Sequence, residues 1–198
     1  MTVKWSGAKQ GQRVIDLCCG SGDLTFLLAD AVGRSGSVVG LDFSAPMLDD
    51  AAARQTSTSF EALAPIQWVQ GDAMQLPFDD ESFDAATMGY GLRNVSSIQS
   101  ALREVHRVLR PSCKAAILDF NNSADPFVDS VQKWMLDNLV VPAADRQGVG
   151  DEYRYLRPSI ERFPRGKEQE QLSLEAGFSK AVHYEIGFGF MGVLVLTK

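Results

Sequence analysis

The sequence predicts an α/β protein with a doubly wound, mostly parallel sheet. Short β-rich segments alternate with helix-length amphipathic segments, and glycines and acidic residues follow several of the predicted strands. Such alternation implies right-handed crossovers that place helices on both faces of one sheet. With 198 residues, 45% of them hydrophobic, the chain is expected to form a single domain, residues 1–198, with a substantial core.

The first strands are predicted from short runs rich in β-branched and aromatic residues. They fall at residues 13–17, 37–42, 66–70, 83–88 and 115–120. Helical periodicity between them predicts helices at residues 23–32, 46–55 and 97–109, and Pro111 is expected to stop the third.

The pattern changes after residue 120. A polar loop is predicted at 121–125, a helix at 128–141 and an irregular, arginine-rich stretch at 143–167. We interpret residues 121–167 as a helical and irregular insertion on the substrate side of the domain. A helix at 168–176 should end at Gly177 in a left-handed conformation, and strands at 182–186 and 190–197 should close the sheet.

Charge and cysteine usage exclude several classes of partner. The formal net charge is −6 and no long lysine or arginine run occurs, so nucleic acid is not an expected partner. Cys18, Cys19 and Cys113 have the spacing of neither a disulfide framework nor a zinc site, and no metal is predicted. No apolar stretch approaches the roughly 20 residues that span a bilayer.

A glycine turn follows the first predicted strand, in the segment DLCCGSGDL from Asp16 to Leu24. Gly20, Ser21 and Gly22 would let a ligand approach bare backbone and a helix N-terminus. A dinucleotide fingerprint would place a third glycine at Thr25, and Asp16 would repel a pyrophosphate, which disfavours an NAD-dependent dehydrogenase. A carboxylate suits the ammonium and sulfonium groups of S-adenosylmethionine, although a tight turn of any doubly wound sheet remains the alternative.

Two further acids follow neighbouring strands. Asp42 closes the second predicted strand and can accept both ribose hydroxyls, while Asp72 with Ala73 can read the amino edge of adenine. The alternative is that these aspartates are caps or solvated groups. Phe43 is a further candidate cofactor contact, and Met47 could pack on adenine or simply belong to the core.

Four segments resemble a known family, the ubiquinone/menaquinone biosynthesis C-methyltransferases, and most closely its plastid and cyanobacterial phylloquinone branch. The resemblance runs nearly end to end, and GLRNV after the fourth strand is specific to this family. The matching segments are DLCCGSGDL at 16–24, GDAMQLPF at 71–78, MGYGLRNV at 88–95 and LEAGF at 174–178.

The resemblance implies a class I methyltransferase fold with seven strands, of which the last is antiparallel. It also implies methyl transfer from S-adenosylmethionine to a ring carbon of a reduced prenylated quinone, with demethylphylloquinol as the expected substrate and the chloroplast as the expected location. Ubiquinone-, menaquinone- or plastoquinone-type quinols are the alternatives. Cofactor contacts implied by motif position are Ser21, Asp42, Asp72, Ala73, and Gly89 just before Tyr90.

The chain departs from the family pattern in three places. Family members extend before residue 1 by a segment that helps to cover cofactor and substrate. Phe188 stands where the plastid branch usually has a small residue, and Pro111, Ser112 and Cys113 replace a usual Pro-Gly turn. Neither Phe188 nor the Pro111-Ser112-Cys113 turn is expected to take part in the chemistry, whereas the preceding segment is expected to matter for closure and activity.

Methylation of an aromatic carbon needs an electron-rich ring, so the expected substrate form is the quinol, with a phenolate to be stabilised. Arg93 offers a permanently charged donor after the fourth strand, and Asn94 can bond the same oxygen or the second one. The alternative for Arg93 is a surface ion pair. His183 is a candidate base and Tyr184 a candidate orienting group, but both could simply pack in a strand.

An apolar stripe could hold the isoprenoid tail. It comprises a helix with Trp134, Met135, Leu136, Leu139 and Val140 together with residues 153–163, and it could equally be core or a homodimer face. Loose attachment to a membrane surface would need no spanning helix. Rival functions are methylation of another small molecule and a non-catalytic, S-adenosylmethionine-binding subunit of a biosynthetic complex.

Overall fold

The computed structural model describes residues 1–56, 63–140, 142 and 150–198. Seven strands form one sheet in the order β3-β2-β1-β4-β5-β7-β6. The strands are β1 (Arg13–Leu17), β2 (Ser37–Asp42), β3 (Ile66–Gln70), β4 (Phe83–Gly89), β5 (Leu109–Phe120), β6 (Lys180–Ile186) and β7 (Met191–Thr197).

Strand direction confirms the predicted topology. β1 pairs in parallel with β2 and β4, β3 with β2, and β5 with β4, whereas β7 runs antiparallel to both β5 and β6. The carboxyl ends of six strands therefore meet at one edge of the sheet, together with the start of β7. We call this the carboxyl edge; it is the side at which ligands bind in open α/β sheets.

Helices connect the strands across both faces. They are α1 (Thr2–Ser6), α2 (Asp23–Val32), α3 (Ala45–Gln55), α4 (Ile98–Val108), α5 (Pro126–Met135), α6 (Gly150–Arg162) and α7 (Gly166–Glu175). A π-helical turn, Leu136–Val140, continues α5, and a 3-10 turn, Leu92–Asn94, follows β4.

Side chains of alternate residues in the central strands pack into two separate cores, one on each face of the sheet. Val14 belongs to the core beneath α1 and α2, whereas its neighbour Ile15 belongs to the larger core beneath α4 and α7. Leu102 of α4 and Leu194 of β7 are buried in that larger core. Each fully buried aliphatic side chain contributes about 1.5–3 kcal/mol, so both faces hold the sheet rigid behind its carboxyl edge.

The fifth strand begins six residues earlier than predicted, at Leu109 instead of residue 115. The register between β4 and β5 shifts between Phe83 and Ala85, and Ser112 has a φ of 65°. Pro111 therefore lies in an irregular part of β5, where a bulge spares it a ladder hydrogen bond. The local Pro-Ser-Cys sequence resembles a turn, which is why the sequence placed the strand too late.

The segment predicted as irregular, 143–167, is largely helical where the structure describes it. Residues 143–149, and the side chains of 150–154, lie outside the described part. From Tyr155 onward, α6 continues to Arg162 in spite of Pro158, and Arg157 pairs with Asp137 and with Glu161 one turn ahead. None of the helices within the described residues is both long enough and apolar enough to cross a membrane.

Candidate active site

Two adjoining cavities open at the carboxyl edge, with volumes of about 540 and 300 Å³. Cys18 and Tyr90 line both and form the wall that the two cavities share. The larger cavity also contacts Asp42, Phe43, Asp72, Ala73 and Asn94, and the smaller one contacts Asp16, Gly20, Ser21, Met47 and Gly89. The volumes are those of small-molecule sites.

Asp16 lies at the floor of the smaller cavity and is fully buried. Its Oδ2 accepts a hydrogen bond from the hydroxyl of Thr25 at 2.7 Å, and its Oδ1 accepts one from Thr87 at 2.6 Å. Burial raises the pKa of Asp16 to about 6, although both threonine hydroxyls oppose the shift. Thr25, which replaces the third glycine of a dinucleotide fingerprint, is thus a partner of this carboxylate.

The glycine turn is held from α3. Arg54 donates through Nη1 to the carbonyl and hydroxyl oxygens of Ser21, at 2.7 and 2.9 Å, and pairs through Nη2 with Asp23. Gly22 has a φ of 91°, and a Cβ there would lie 2.8 Å from Trp68. Only glycine fits this position without displacing its neighbours, so the turn keeps its backbone open to a ligand.

Asp42 and Asp72 both line the larger cavity. The carboxylate of Asp42 accepts the backbone N–H of Gly20 at 2.8 Å and that of Ser44 at 2.9 Å. Asp72 accepts the N–H of Met74 at 2.8 Å. These bonds fix each carboxylate and leave further lone pairs on the oxygens that can accept ligand hydroxyl or amino groups.

Phe43 and Met47 lie at the mouth of the two cavities. Phe43 is 77% exposed and Met47 is 38% exposed, so neither belongs to the core. The end of the Met47 side chain lies 3.3 Å from where a Cβ of Gly20 would stand, which places it over the glycine turn. Ala73, in contrast, is buried beneath the larger cavity.

Tyr90 follows β4 with a φ of 57°, an uncommon conformation for a residue with a side chain. Its N–H donates to the carbonyl of Leu118 at 2.7 Å, and its ring lies 5.3 Å from that of Phe120. Burial raises the pKa of the Tyr90 hydroxyl. The preceding Gly89 is closely packed, because a Cβ there would lie 2.9 Å from the end of the Leu24 side chain, which would have to move.

Arg93 lies behind this wall and lines neither cavity. Its Nη1 pairs with Asp119 at 2.5 Å and donates to the carbonyl of Tyr90 at 3.1 Å, while Nε donates to the hydroxyl of Ser159 at 3.3 Å. The side chain is only 10% exposed, so the ion pair is buried and not, as in the alternative weighed from sequence, at the surface. Asn94 lines the larger cavity and also donates to the Tyr90 carbonyl, at 3.0 Å.

His183 and Tyr184 occupy the edge strand β6, and neither contacts the two cavities. The ring of His183 lies between Gly166 and Gly192, where a Cβ on either glycine would meet it. Burial lowers the pKa of His183, although nearby glutamates oppose the shift. Tyr184 points to the other face, 5.0 Å from the ring of Trp5. Their catalytic assignment therefore stays a prediction.

Sequence reasoning missed Asp119 and Arg54. Asp119 ends β5 at the same edge as the other acids, and the strand-end rule applied to Asp16, Asp42 and Asp72 would have found it. Arg54 carries no such signal, because its role arises from the way α3 packs beside the glycine turn.

The lining of both cavities suits a cationic ligand. It includes Asp16, Asp23, Asp42 and Asp72, and within the described residues no lysine or arginine lines either cavity. A pyrophosphate would be repelled there, whereas an ammonium and a sulfonium would be attracted. The thiol of Cys18 is not a counter-charge, since burial raises its pKa to about 12. Fold and site together define a class I methyltransferase that uses S-adenosylmethionine.

Comparisons with known proteins agree with this class. A model of the ubiE/COQ5 methyltransferase family matches residues 1–198. The chain is 54% identical to the Arabidopsis thaliana protein named 2-phytyl-1,4-beta-naphthoquinone methyltransferase, chloroplastic, over 100% of this chain and 76% of that protein. It is also 54% identical to the Synechocystis sp. 2-phytyl-1,4-naphtoquinone methyltransferase, over 100% of this chain and 82% of that protein.

Among solved structures, a SAM-dependent methyltransferase from Aquifex aeolicus superposes with a TM-score of 0.72 at 18% identity, covering 98% of this chain and 86% of that one. This likeness supports the fold. The chain belongs to the ubiE/COQ5 methyltransferase family. The predictions of the fold, the family and S-adenosylmethionine as cofactor are thereby confirmed.

Proposed function

We propose that this protein methylates a ring carbon of the reduced form of 2-phytyl-1,4-naphthoquinone, a step that yields phylloquinol. The observation that carries this proposal is the 54% identity, over the whole chain, to relatives named for that substrate. The two acid-lined cavities at the carboxyl edge support it, because they offer a cradle for the methyl donor next to the family's Gly-Leu-Arg-Asn segment.

The bound cofactor supplies an electrophilic methyl group on a sulfonium. Asp42 and Asp72 are proposed to bind its ribose hydroxyls and adenine amino group, and Asp16 to favour its ammonium from the floor of the smaller cavity. Carboxylates fixed by backbone N–H and threonine hydroxyl groups need no reorganisation when the ligand arrives.

On the substrate side, Arg93 and Asn94 are proposed to stabilise the phenolate of the quinol. Within the described ranges, Nη2 of Arg93 makes no hydrogen bond and so keeps its donors for a substrate oxygen. The guanidinium lines neither cavity, so this role requires the substrate to reach behind the Tyr90 wall. Asn94 reaches the larger cavity directly. Both side chains also hold the Tyr90 carbonyl, so they shape the wall between the cavities.

The proposed reaction is tested with S-adenosylmethionine carrying a labelled methyl group and a panel of reduced and oxidised quinones. We expect label in the phytyl naphthoquinol, slower or no transfer to prenylated benzoquinols, and none to the oxidised naphthoquinone. Transfer to benzoquinols alone would overturn the proposed substrate, and an absence of transfer to every quinol would overturn the proposed reaction.

We further propose that residues 121–167 form a substrate-side insertion within one domain, residues 1–198, and that it rests on a membrane surface where the prenyl tail is dissolved. Leu136, Leu156 and Ile160 form a small core there, packed against Phe120 at the carboxyl edge. Phe127 and Trp134 lie on the same face of α5 and are 76% and 58% exposed. Such exposed aromatic side chains are typical of membrane-interface contacts.

Vesicle flotation tests this surface. Trp134→Ser is expected to reduce binding of the protein to phytyl-quinol-containing vesicles at least about fivefold, since a buried indole contributes about 1 kcal/mol or more. Leu27→Ser, on α2 and 58% exposed, is the matched control and should bind like the wild type. Equal binding of both variants would contradict the membrane surface, and light scattering shows whether the same stripe instead forms a homodimer face.

The chloroplast is the proposed location. The Arabidopsis relative is named as chloroplastic, while other relatives are cyanobacterial, which is consistent with an enzyme of photosynthetic membranes. Cell fractionation with an antibody to this chain is expected to recover it with plastid membranes or stroma, and recovery with mitochondria would contradict the proposal.

A further inference from the structure

A continuous chain of contacts runs from α6 to the wall between the cavities. Ser159 is 2% exposed, and its hydroxyl donates to the carbonyl of Leu156 at 2.6 Å while it accepts from Nε of Arg93 at 3.3 Å. Arg93 in turn donates through Nη1 to the carbonyl of Tyr90 at 3.1 Å. The insertion and the cofactor-binding wall are thus joined through one guanidinium group.

Asp119 fixes this guanidinium from the sheet. Its Oδ1 accepts from Nη1 of Arg93 and from the N–H of Phe120, and its Oδ2 accepts from the N–H of Arg93 at 3.2 Å. Its side chain is 5% exposed, and burial raises the pKa of Asp119 although Arg93 opposes the shift. One carboxylate therefore anchors both the backbone and the side chain of Arg93.

The backbone of Tyr90, whose carbonyl Arg93 holds, is strained. Tyr90 has a φ of 57°, a conformation that is unfavourable for a residue with a side chain and persists only when its surroundings impose it. Its carbonyl accepts two side-chain donors, from Arg93 and Asn94, within the same short loop. Loss of the guanidinium geometry would release the Tyr90 backbone and move the wall that both cavities share.

We propose that Asp119 and Ser159 are positioning residues for methyl transfer. Asp119 fixes the distance of the guanidinium from the sheet. Ser159 fixes the orientation of the guanidinium plane, and this orientation depends on the position of α6. A displacement of α6 therefore changes the arginine loop, residues 90–95, without touching the cofactor acids. This inference rests on the proposed function for its kinetic consequences but not for its structural ones.

The test uses Ser159→Ala with Ser173→Ala as the matched control. Ser173 is also buried in a helix and its hydroxyl bonds back to the carbonyl of Gln169 at 2.7 Å, but among the described residues it makes no hydrogen bond to the arginine loop. Ser159→Ala is expected to lower kcat about tenfold, as for the loss of one hydrogen bond to a charged group, with the Kd of the cofactor unchanged. Ser173→Ala should keep the wild-type kcat.

Hydrogen exchange of the cofactor-free protein gives a readout independent of activity. Amide exchange of residues 90–95 should be faster in Ser159→Ala than in the wild type and unchanged in Ser173→Ala. If exchange changes as expected but no quinol is methylated even by the wild type, the proposed function fails and the positioning role stands. Unchanged exchange in Ser159→Ala overturns the positioning role.

A double-mutant cycle with Arg93→Lys decides whether Ser159 acts through Arg93. Lysine keeps the charge but lacks Nε, so Ser159→Ala should cause no further loss of kcat in that background. Asp119→Asn is expected to lower kcat at least as much as Ser159→Ala, with partial recovery in Asp119→Glu. Full additivity with Arg93→Lys, or equal losses in Ser159→Ala and Ser173→Ala, would overturn the proposal.

Discussion

At the scale of single residues, the effect of each acid of the carboxyl edge on folding stability depends on its burial and on its partner. Asp16 is fully buried without a cationic partner among the described residues, and two hydroxyl groups are its hydrogen-bond donors. Asp119 is nearly as buried but faces a guanidinium. The first arrangement leaves a carboxylate that a positively charged ligand would stabilise, whereas the second is already neutralised by the protein.

Asp16→Asn should stabilise the folded state and weaken cofactor binding. The folded pKa of about 6 lies above the ordinary 3.8, so the contribution of Asp16 to stability is full below pH 3.8 and is lost as the pH rises through about 6. A shift of this size corresponds to about 3 kcal/mol, which bounds the gain at pH 7.5. The hydroxyl groups of Thr25 and Thr87 can reorient to hydrogen-bond an amide at position 16. Urea unfolding at pH 5 and at pH 7.5 measures the difference in the free energy of unfolding between Asp16→Asn and the wild type.

Calorimetry with S-adenosylhomocysteine measures the loss of cofactor affinity predicted for Asp16→Asn. Asp16→Asn is expected to lose affinity at least about tenfold, the effect of removing one favourable charge interaction of about 1.4 kcal/mol. Asp42→Asn, the control, should lose affinity without gaining stability, because the N–H groups of Gly20 and Ser44 bond to different oxygens of Asp42 and an amide would place its own NH2 group against one of them. A less stable Asp16→Asn protein would show that the carboxylate is needed for folding.

Arg93→Ala is expected to cost the free energy of unfolding about 3–5 kcal/mol, because it leaves Asp119 buried and unpaired. Arg93→Ala combined with Asp119→Ala should be more stable than Arg93→Ala alone. Arg54→Ala is the control, since its ion pair with Asp23 is 42% and 81% exposed and should contribute less than about 1 kcal/mol. A cost below 1 kcal/mol for Arg93→Ala would contradict the buried pair.

At the scale of elements, two departures from the family pattern coincide with strained turns. Ser112 in β5 and Phe188 between β6 and β7 have φ values of 65° and 61°. Both positions are exposed, and Phe188 is 94% exposed, so neither side chain is needed for packing. Glycine, the family's usual residue at the first of these turns, suits such backbone, whereas serine and phenylalanine there raise the energy of the folded state.

Ser112→Gly and Phe188→Gly should each raise the free energy of unfolding by about 1 kcal/mol, which corresponds to roughly 2–4 °C in Tm. Ser35→Gly is the control, because Ser35 is exposed in a turn without a positive φ and should gain nothing. Thermal and urea unfolding measure all three proteins. An equal gain in Ser35→Gly would mean that strain is not the cause.

The close contact of the His183 ring with Gly166 and Gly192 predicts that His183 has a packing role. Gly192→Ala should cost about 1–3 kcal/mol, since its methyl group would meet the imidazole, and the cost should largely vanish in a His183→Ala background. His183→Ala alone should keep kcat within about threefold. A loss of a hundredfold or more, the usual effect of removing a general base, with unchanged stability and cofactor affinity would instead establish His183 as the catalytic base.

Helices and strands with strong periodicity could be predicted closely from sequence, and those shaped by tertiary contacts could not. The bounds of β1, β2, β3 and α2 agree with the structure because their hydrophobic pattern and flanking turns are local signals. The start of β5 and most of α6 were missed. A proline lies in each region, Pro111 in β5 and Pro158 in α6, and pairing with β4 and the contacts of α6 maintain the regular structure in spite of it.

At the scale of the whole molecule, the fold brings residues distant in sequence to one edge. Asp16, Asp42 and Asp72 could be placed together from sequence because parallel strands must end on the same side. The partners of Arg93 could not, since Asp119 and Ser159 lie 26 and 66 residues away and meet it only after β5 and α6 have packed. Sequence could therefore bring the acids of the carboxyl edge together, but not the contacts that hold Arg93.

The reaction proposed for this protein transfers the donor's methyl group to a ring carbon of a reduced phytyl naphthoquinone. Incubation with S-adenosylmethionine carrying a carbon-13 methyl group, followed by NMR of the extracted product, tests it most directly. A single labelled methyl group bonded to the free carbon of the quinol ring is the expected result. Label on a ring oxygen, as a methoxy group, or no label in the naphthoquinol while the cofactor is bound, would contradict it.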